Sequence, residues 1–232
     1  PPPRAVAAAQ DRLAEKTLFR SLGIPTAEFV TIDSEADAAA AARLGWPVLL
    51  KTRRMGYDGR GQRMVHSERE LTAAWRELGS VPSIAEALVK FEREVSLIAV
   101  QGARGARAFY PLSENVHRDG ILATTVAPFL DAKLQQQAET WLAGIMSALD
   151  YRGVLTVEFF HTSRGLVANE MAPRVHNSGH WTIEGSECSQ FENHLRAVLD
   201  LPLGSTAMAG GGHATMVNFV GELPPRAALL AL

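Results

Sequence analysis

The chain has one cysteine, Cys188, only four lysines, and almost no net charge, with 23 Lys and Arg against 25 Asp and Glu for a formal charge of −2. A single cysteine excludes a disulfide framework and points to a reducing, cytoplasmic setting. Balanced charge removes the electrostatic case for a nucleic acid or an anionic membrane as the main partner. No apolar run approaches the roughly 18 residues of a membrane helix, and the N-terminus lacks the charged-then-apolar pattern of a leader. What the chain does have is 232 residues that are 47% hydrophobic, enough for one large or two small packed domains. It opens on Pro1-Pro2-Pro3 without an initiator Met and stops in the apolar run Leu229-Leu230-Ala231-Leu232. The expectation is therefore a portion of a longer protein.

Residues 1–10, small and rich in Ala and Pro, are expected to be poorly ordered. From Asp11 a helical pattern runs through Leu13, Leu18 and Leu22, with Gly23 and Pro25 as stop signals. Capping patterns at Ser34/Asp37 and Ser67/Glu70 open two more helices, and strands are expected at 27–32 and 47–51. The second half is richer in strands. Apolar or alternating stretches at 84–89, 95–101 and 106–111 precede two hairpins, one turning at Asp119-Gly120 and one at 162–165. Helices are expected over 131–149 and 189–199, and a last strand over 213–220. The class is α+β, with a small αβ lobe over 11–82, a larger antiparallel lobe over 83–210, and the start of a further C-terminal domain over 211–232.

Lys51 ends an apolar strand and directly precedes the glycine-rich segment Gly56-Tyr57-Asp58-Gly59-Arg60-Gly61. Glycines let backbone N–H groups approach phosphate oxygens and a lysine adds a mobile charge, although no Gly-Lys-Ser/Thr of a Walker loop is present. The plainer alternative is a hairpin turn with a lysine at its rim. Glu158, in mid-strand, and Glu170, near the end of the returning strand, should lie opposite each other or one step off. Two carboxylates that close call for a cation, and Mg²⁺ with oxygen ligands is the natural one, with Asn169 as a further oxygen. One or both acids pointing to solvent is the competing reading.

The run from Ala172 to Thr182 then gathers anion-binding groups, among them Arg174, His176 and His180. The i,i+4 spacing of the two histidines would serve zinc on a helix, but Asn177-Ser178-Gly179 between them argues for a loop. Glu86-Ala87-Leu88-Val89, followed by Glu94, could read an adenine edge and a ribose, or be an ordinary edge strand. His66, His161, His194, His213 and Cys188 have no such company.

In order, these pieces resemble the ATP-grasp superfamily and, within it, the N5-carboxyaminoimidazole ribonucleotide synthetases. The resemblance is carried by the segments 10–16, 51–62, 91–96, 110–117, 189–192 and above all 169–182, Asn-Glu-Met-Ala-Pro-Arg-Val-His-Asn-Ser-Gly-His-Trp-Thr. It implies an ATP-grasp fold that lacks the family's N-terminal dinucleotide-fold-like domain and its C-terminal Arg/Lys-Gly-His segment. It further implies that Arg12 and Lys51 contact the phosphates of ATP, that the loop Gly56, Tyr57, Asp58, Gly59, Arg60, Gly61, Gln62 closes over them, and that Glu86, Ala87, Leu88 and Val89 form the adenine hinge. Glu94 would hold the ribose with His117 near the nucleotide. Glu158 and Glu170 would bind Mg²⁺ with Asn169 beside them, and Asp58, Arg174 and His176 would serve the chemistry around bicarbonate and 5-aminoimidazole ribonucleotide.

The reaction so implied is ATP-dependent carboxylation of that ribonucleotide through carboxyphosphate, in a cytoplasmic homodimer. Two alternatives stay open. One is another ATP-grasp enzyme, such as a formate-using glycinamide ribonucleotide transformylase or a biotin carboxylase-like protein. The other is a nucleotide-binding domain without turnover.

Overall fold

The computed structural model describes residues 1–56, 61–221, 223, 225 and 227. Helices α1 (Pro3–Ala9) and α2 (Arg12–Ser21) come first, followed by strand β1 (Phe29–Ile32), a 3-10 helix (Glu35–Leu44), β2 (Val48–Thr52), β3 (Gln62–Val65), α3 (Glu68–Glu77) and β4 (Ser83–Ala87). The second half comprises β5 (Arg93–Gln101), β6 (Arg107–Phe109), β7 (Ser113–Arg118), β8 (Ile121–Ala127), α4 (Ala132–Leu149), β9 (Gly153–Thr162), β10 (Gly165–Ala172), α5 (Thr182–Gly185), α6 (Gln190–Val198) and β11 (Ala214–Val217). Among the described residues no helix is long and apolar enough to cross a membrane.

The strands form two antiparallel sheets, a small one ordered β1-β4-β2-β3 and a large one ordered β10-β9-β5-β7-β8-β11, with β6 on the flank of β5. The expected two-lobed α+β architecture is thus present, but its boundaries differ from those the sequence suggests. Strand β4 pairs with both β1 and β2, so the small lobe runs to Ala87 rather than 82 and the crossing between lobes lies over 88–92. Nothing local in 83–87 tells which sheet will take it; the slot left between β1 and β2 decides. Strand β11 pairs with β8, Ala214 opposite Ala127 and Val217 opposite Thr124, so these four residues extend the large sheet instead of opening a separate domain.

Residues 1–10 are not a disordered lead-in. Pro at the first turn and a run of alanines favour a helix, and tertiary contacts complete it. Ala5 is fully buried, and Arg4 donates from Nε to the carbonyl of Leu149 (2.6 Å) and pairs with Asp150 (2.8 Å) at the C-terminus of α4.

One face of the large sheet carries Val95, Leu97, Val157 and Phe159 against α1, α2 and α4, with Phe19, Leu142 and Ile145 fully enclosed. Each such side chain contributes about 1.5–3 kcal/mol of burial. A second core fills the small lobe around Ile32, Leu50 and Leu71. A third lies on the opposite face of the large sheet, where Ile98, Val100 and Val154 meet Tyr110, Trp181 and Ala197. The end of that face left uncovered by the third core is where the acidic residues gather.

Candidate functional site

Alternation places the site. In β9, Val157 and Phe159 point into the first core, so Glu158 and Phe160 point to the other face. The β10 partner of Phe159 is Ala168, and regular pairing would set Asn169 opposite Glu158. Instead a bulge absorbs Asn169, Glu170 becomes the direct partner of Glu158, and Met171 returns to the core. Glu94 and Ser96 of β5 join the same face, Ser96 opposite Glu158. Of the two registers the sequence left open, the directly opposed one is adopted.

The two carboxyl groups are not equivalent. Burial, and then the neighbouring Glu170, push Glu158 up to about 8. Burial also opposes charge on Glu170, but Arg12, Lys51, a hydrogen bond from Arg12 and His176 outweigh it and hold that carboxyl below its ordinary range. Arg12 donates from Nη1 to Glu170 Oε2 at 3.1 Å. Paired carboxylates on a buried face, one of them driven towards neutrality by burial and by the other, form a donor set that fits a hard divalent cation. Glu158 and Glu170 are the residues that would hold it, and the bulged Asn169 stands next to them.

Across the cleft, Lys51 Nζ lies 2.8 Å from Glu86 Oε2, and Lys16 Nζ lies 3.3 Å from Glu86 Oε1. All three charges are inside the protein, exposed by 6% (Lys51), 3% (Glu86) and 1% (Lys16), so each depends on the others. Burial resists ionisation of Glu86, yet Lys51 and Lys16 keep its carboxyl below the usual range. The carboxylate of Glu86 is therefore engaged in this triad.

The backbone of the expected hinge is engaged in part as well. Ala87 N–H is not free for a ligand, because it donates to Glu28 (2.8 Å), whereas Leu88 and Val89 lie beyond β4 at the crossing between lobes. Just past them Phe91 stacks on Phe160, with centroids 4.7 Å apart. Glu94 Oε2 pairs with His117 Nδ1, and that contact raises the pKa of the imidazole.

His176 is held from three sides. Its amide donates to Gln190 Oε1 (2.9 Å) and its carbonyl accepts from Gln190 Nε2 (2.6 Å). Ser178 N–H donates to Nδ1 (3.3 Å), with the Ser178 hydroxyl 2.9 Å from the same nitrogen and supported by Ser96 (2.8 Å). An Nδ1 that accepts from an amide leaves the proton on Nε2, which faces Glu158 Oε1 at 3.2 Å. Burial and the Arg174 guanidinium lower this histidine to about 4, so it is neutral at neutral pH. Arg174 itself is exposed and, among the described residues, bonds its neighbour's carbonyl, Val175 O, at 2.8 Å.

His180 stacks on Phe191 at 5.6 Å, so the two histidines have different partners and share no ligand set. Among the described residues no group of three or more His, Cys, Asp or Glu side chains has metal-site geometry.

The glycine-rich segment is described only at its ends. Tyr57, Asp58, Gly59 and Arg60 lie outside the described residues. Gly56 lines a cleft of about 410 Å³ shared with Arg12, Glu15, Arg53, Glu170, Arg174 and His176. Gly61 has φ +71°, and a Cβ there would sit 2.7 Å from Thr52 Oγ1. Gln62 belongs to β3 as the pairing partner of Lys51 and not to the loop.

Residues the sequence reading did not single out complete the cleft. Glu15, one turn after Arg12, accepts from Met171 N–H (2.6 Å) and is pushed up to about 8 by burial and by Glu170. Asp11 caps α2 through Leu13 N–H (3.0 Å) and grips Arg53 through both oxygens (2.9 and 2.6 Å). Both Glu15 and Lys16 lie with Phe19 on the buried face of α2, where two charged residues give amphipathic patterning nothing to flag.

The ATP-grasp domain model matches residues 17–191. The chain is 53% identical, over 97% of its length, to the N5-carboxyaminoimidazole ribonucleotide synthase of Pseudomonas aeruginosa, of which it covers 62%. Among solved structures it resembles the N5-carboxyaminoimidazole ribonucleotide synthetase of Thermus thermophilus, with a TM-score of 0.92 and 53% identity, over 100% of this chain and 63% of that one. It also resembles the Aspergillus clavatus N5-carboxyaminoimidazole synthase in complex with ADP and 5-aminoimidazole ribonucleotide, with a TM-score of 0.85 and 32% identity over 98% and 61% of the two chains. The chain thus spans about three-fifths of the length of the proteins it matches. With the two sheets, the site between them and the match over most of its residues taken together, the chain belongs to the ATP-grasp family.

Proposed function

We propose that this chain is the ATP-binding portion of an N5-carboxyaminoimidazole ribonucleotide synthase, which carboxylates the amine of 5-aminoimidazole ribonucleotide with bicarbonate while ATP becomes ADP and phosphate. The observation that carries the reading is the convergence on one cleft of Arg12 and Lys51, the register-paired Glu158 and Glu170, and the clamped His176. Arg12 and Lys51 take phosphate oxygens, Glu86 to Val89 line the adenine, and Glu94 with His117 meets the ribose. Mg²⁺ held by Glu158 and Glu170 supplies charge neutralisation at the transferred phosphoryl group.

In this reading a bicarbonate oxygen bonds to the γ-phosphorus as the bond to ADP breaks. The resulting carboxyphosphate yields carbon dioxide and phosphate, and the substrate amine adds to the carbon and loses a proton. Arg174, exposed at the cleft, holds the carboxyl group. His176 presents the Nε2 proton and not a lone pair, so it acts as the donor, and the base is Asp58. The proposed assembly is a homodimer and the proposed location the cytoplasm.

The test is ADP release by the full-length protein. It should require both bicarbonate and the aminoimidazole ribonucleotide; release that needs formate in place of bicarbonate would assign a different ATP-grasp reaction.

A further inference from the structure

Lys16 makes contacts out of proportion to its place on an ordinary amphipathic helix. Its ammonium group is 3.1 Å from Thr26 Oγ1, 3.3 Å from the carbonyl of Asn169 and 3.3 Å from Glu86 Oε1. Thr26 and Asn169 accept hydrogen bonds from it, and Glu86 Oε1 pairs with its charge. They come from the segment after α2, from the β10 bulge and from β4, and therefore from both lobes.

The charge count is the informative part. Glu86 is a single carboxylate placed between two ammonium groups, with Lys51 on Oε2 at 2.8 Å and Lys16 on Oε1. If only Lys51 and Glu86 were there, the pair would be neutral and would offer a phosphate little attraction in a poorly solvated site. With Lys16 the group carries one surplus positive charge. Lys16 itself, 1% exposed, is too enclosed to touch a ligand, so that surplus is delivered through Lys51.

We propose that Lys16 is a positioning residue for phosphate binding: by sharing Glu86 with Lys51 it leaves Lys51 electrostatically free for the ligand's phosphates. The inference rests on the nucleotide-binding reading above.

The experiment is titration calorimetry of the full-length protein with Mg-ATP and, separately, with adenosine, which has no phosphate. Lys16→Met should weaken ATP about tenfold and leave adenosine unchanged, the size expected when one charge-assisted contact is lost. The double variant Lys16→Met/Glu86→Gln removes one cation and one anion, restoring the surplus charge. Its ratio of ATP to adenosine affinity should return to that of the wild type.

A purely structural lysine predicts the opposite, with equal losses for both ligands and no recovery in the double variant; that pattern overturns the proposal. So does a Lys16→Met protein that binds ATP as tightly as the wild type. Should Lys16→Met fail to fold, the double variant decides alone, since a tenfold fall in its ratio contradicts the charge count. Wild-type protein that binds neither ligand would instead sink the nucleotide-binding reading.

Discussion

Glu170 faces Glu158 across the β9–β10 pair because Asn169 is accommodated as an extra residue between Ala168 and Glu170. Regular pairing of the same sequence would send Glu170 into the core face occupied by Ala168 and bring Met171 out of it. The carbonyl of the bulged residue accepts from Lys16 (3.3 Å). The bulge is thus tied to the same lysine that bears on Glu86, linking the acidic pair to the buried cations Lys16 and Lys51.

Replacing Glu170 by Gln keeps the shape of the side chain but removes the charge that Arg12 meets at 3.1 Å. Turnover should fall at least about a hundredfold. The melting temperature should move by only a few degrees, because the site is not part of a core. Turnover assays beside thermal melts check both halves, and wild-type rates would refute the cation assignment.

Gln190 is fully buried and holds both backbone polar groups of His176. Gln190→Ala leaves an amide and a carbonyl without partners, at a cost of about 1–3 kcal/mol. Urea unfolding should report that loss, and kcat should fall with it as His176 loosens. Gly179→Ala tests the same packing from beneath, since its Cβ would lie 2.3 Å from Ile98 Cδ1 and 2.7 Å from Gln190. Overpacking of that kind costs about 1–3 kcal/mol.

The pH dependence of stability has one well-defined contributor. Hydrogen bonds from Arg53 hold the Asp11 carboxyl down at about 2, against 3.8 ordinarily. A depressed carboxyl stabilises the fold above its unfolded value, and that contribution disappears as pH falls from about 4 through 2. At neutral pH it is worth at most about 2 kcal/mol. Asp11→Asn should therefore be less stable than the wild type at pH 7, with the gap closing by pH 2. A gap that stays constant over that range would show that Arg53 does not depend on the Asp11 charge.

Much of this arrangement is legible in the residues. The hairpin turns, the capping pairs Ser34/Asp37 and Ser67/Glu70 and the apolar periods place most elements, and the 162–165 turn brings Glu158 near Glu170. The bulge is not legible, because one extra residue in a strand leaves no trace in alternation that local composition can distinguish. Nor is the sheet membership of β4, which depends on partners 33 and 57 residues away in chain order in the pairings Lys51–Ile84 and Phe29–Glu86. Glu15 and Lys16 look like the solvated side of a helix until β10 and β4 close over them. The helix over 3–9 escapes notice for a related reason, since its one strong anchor is the distant end of α4.

The central claim is that Glu158 and Glu170 together form the cation site of a nucleotide cleft. The most direct test is calorimetric titration of ATP into the full-length protein with and without Mg²⁺, in wild type and in Glu158→Gln/Glu170→Gln. The account predicts that Mg²⁺ tightens ATP binding to the wild type by at least about tenfold and that the double variant loses this dependence. Equal Mg²⁺ dependence in both proteins would contradict it.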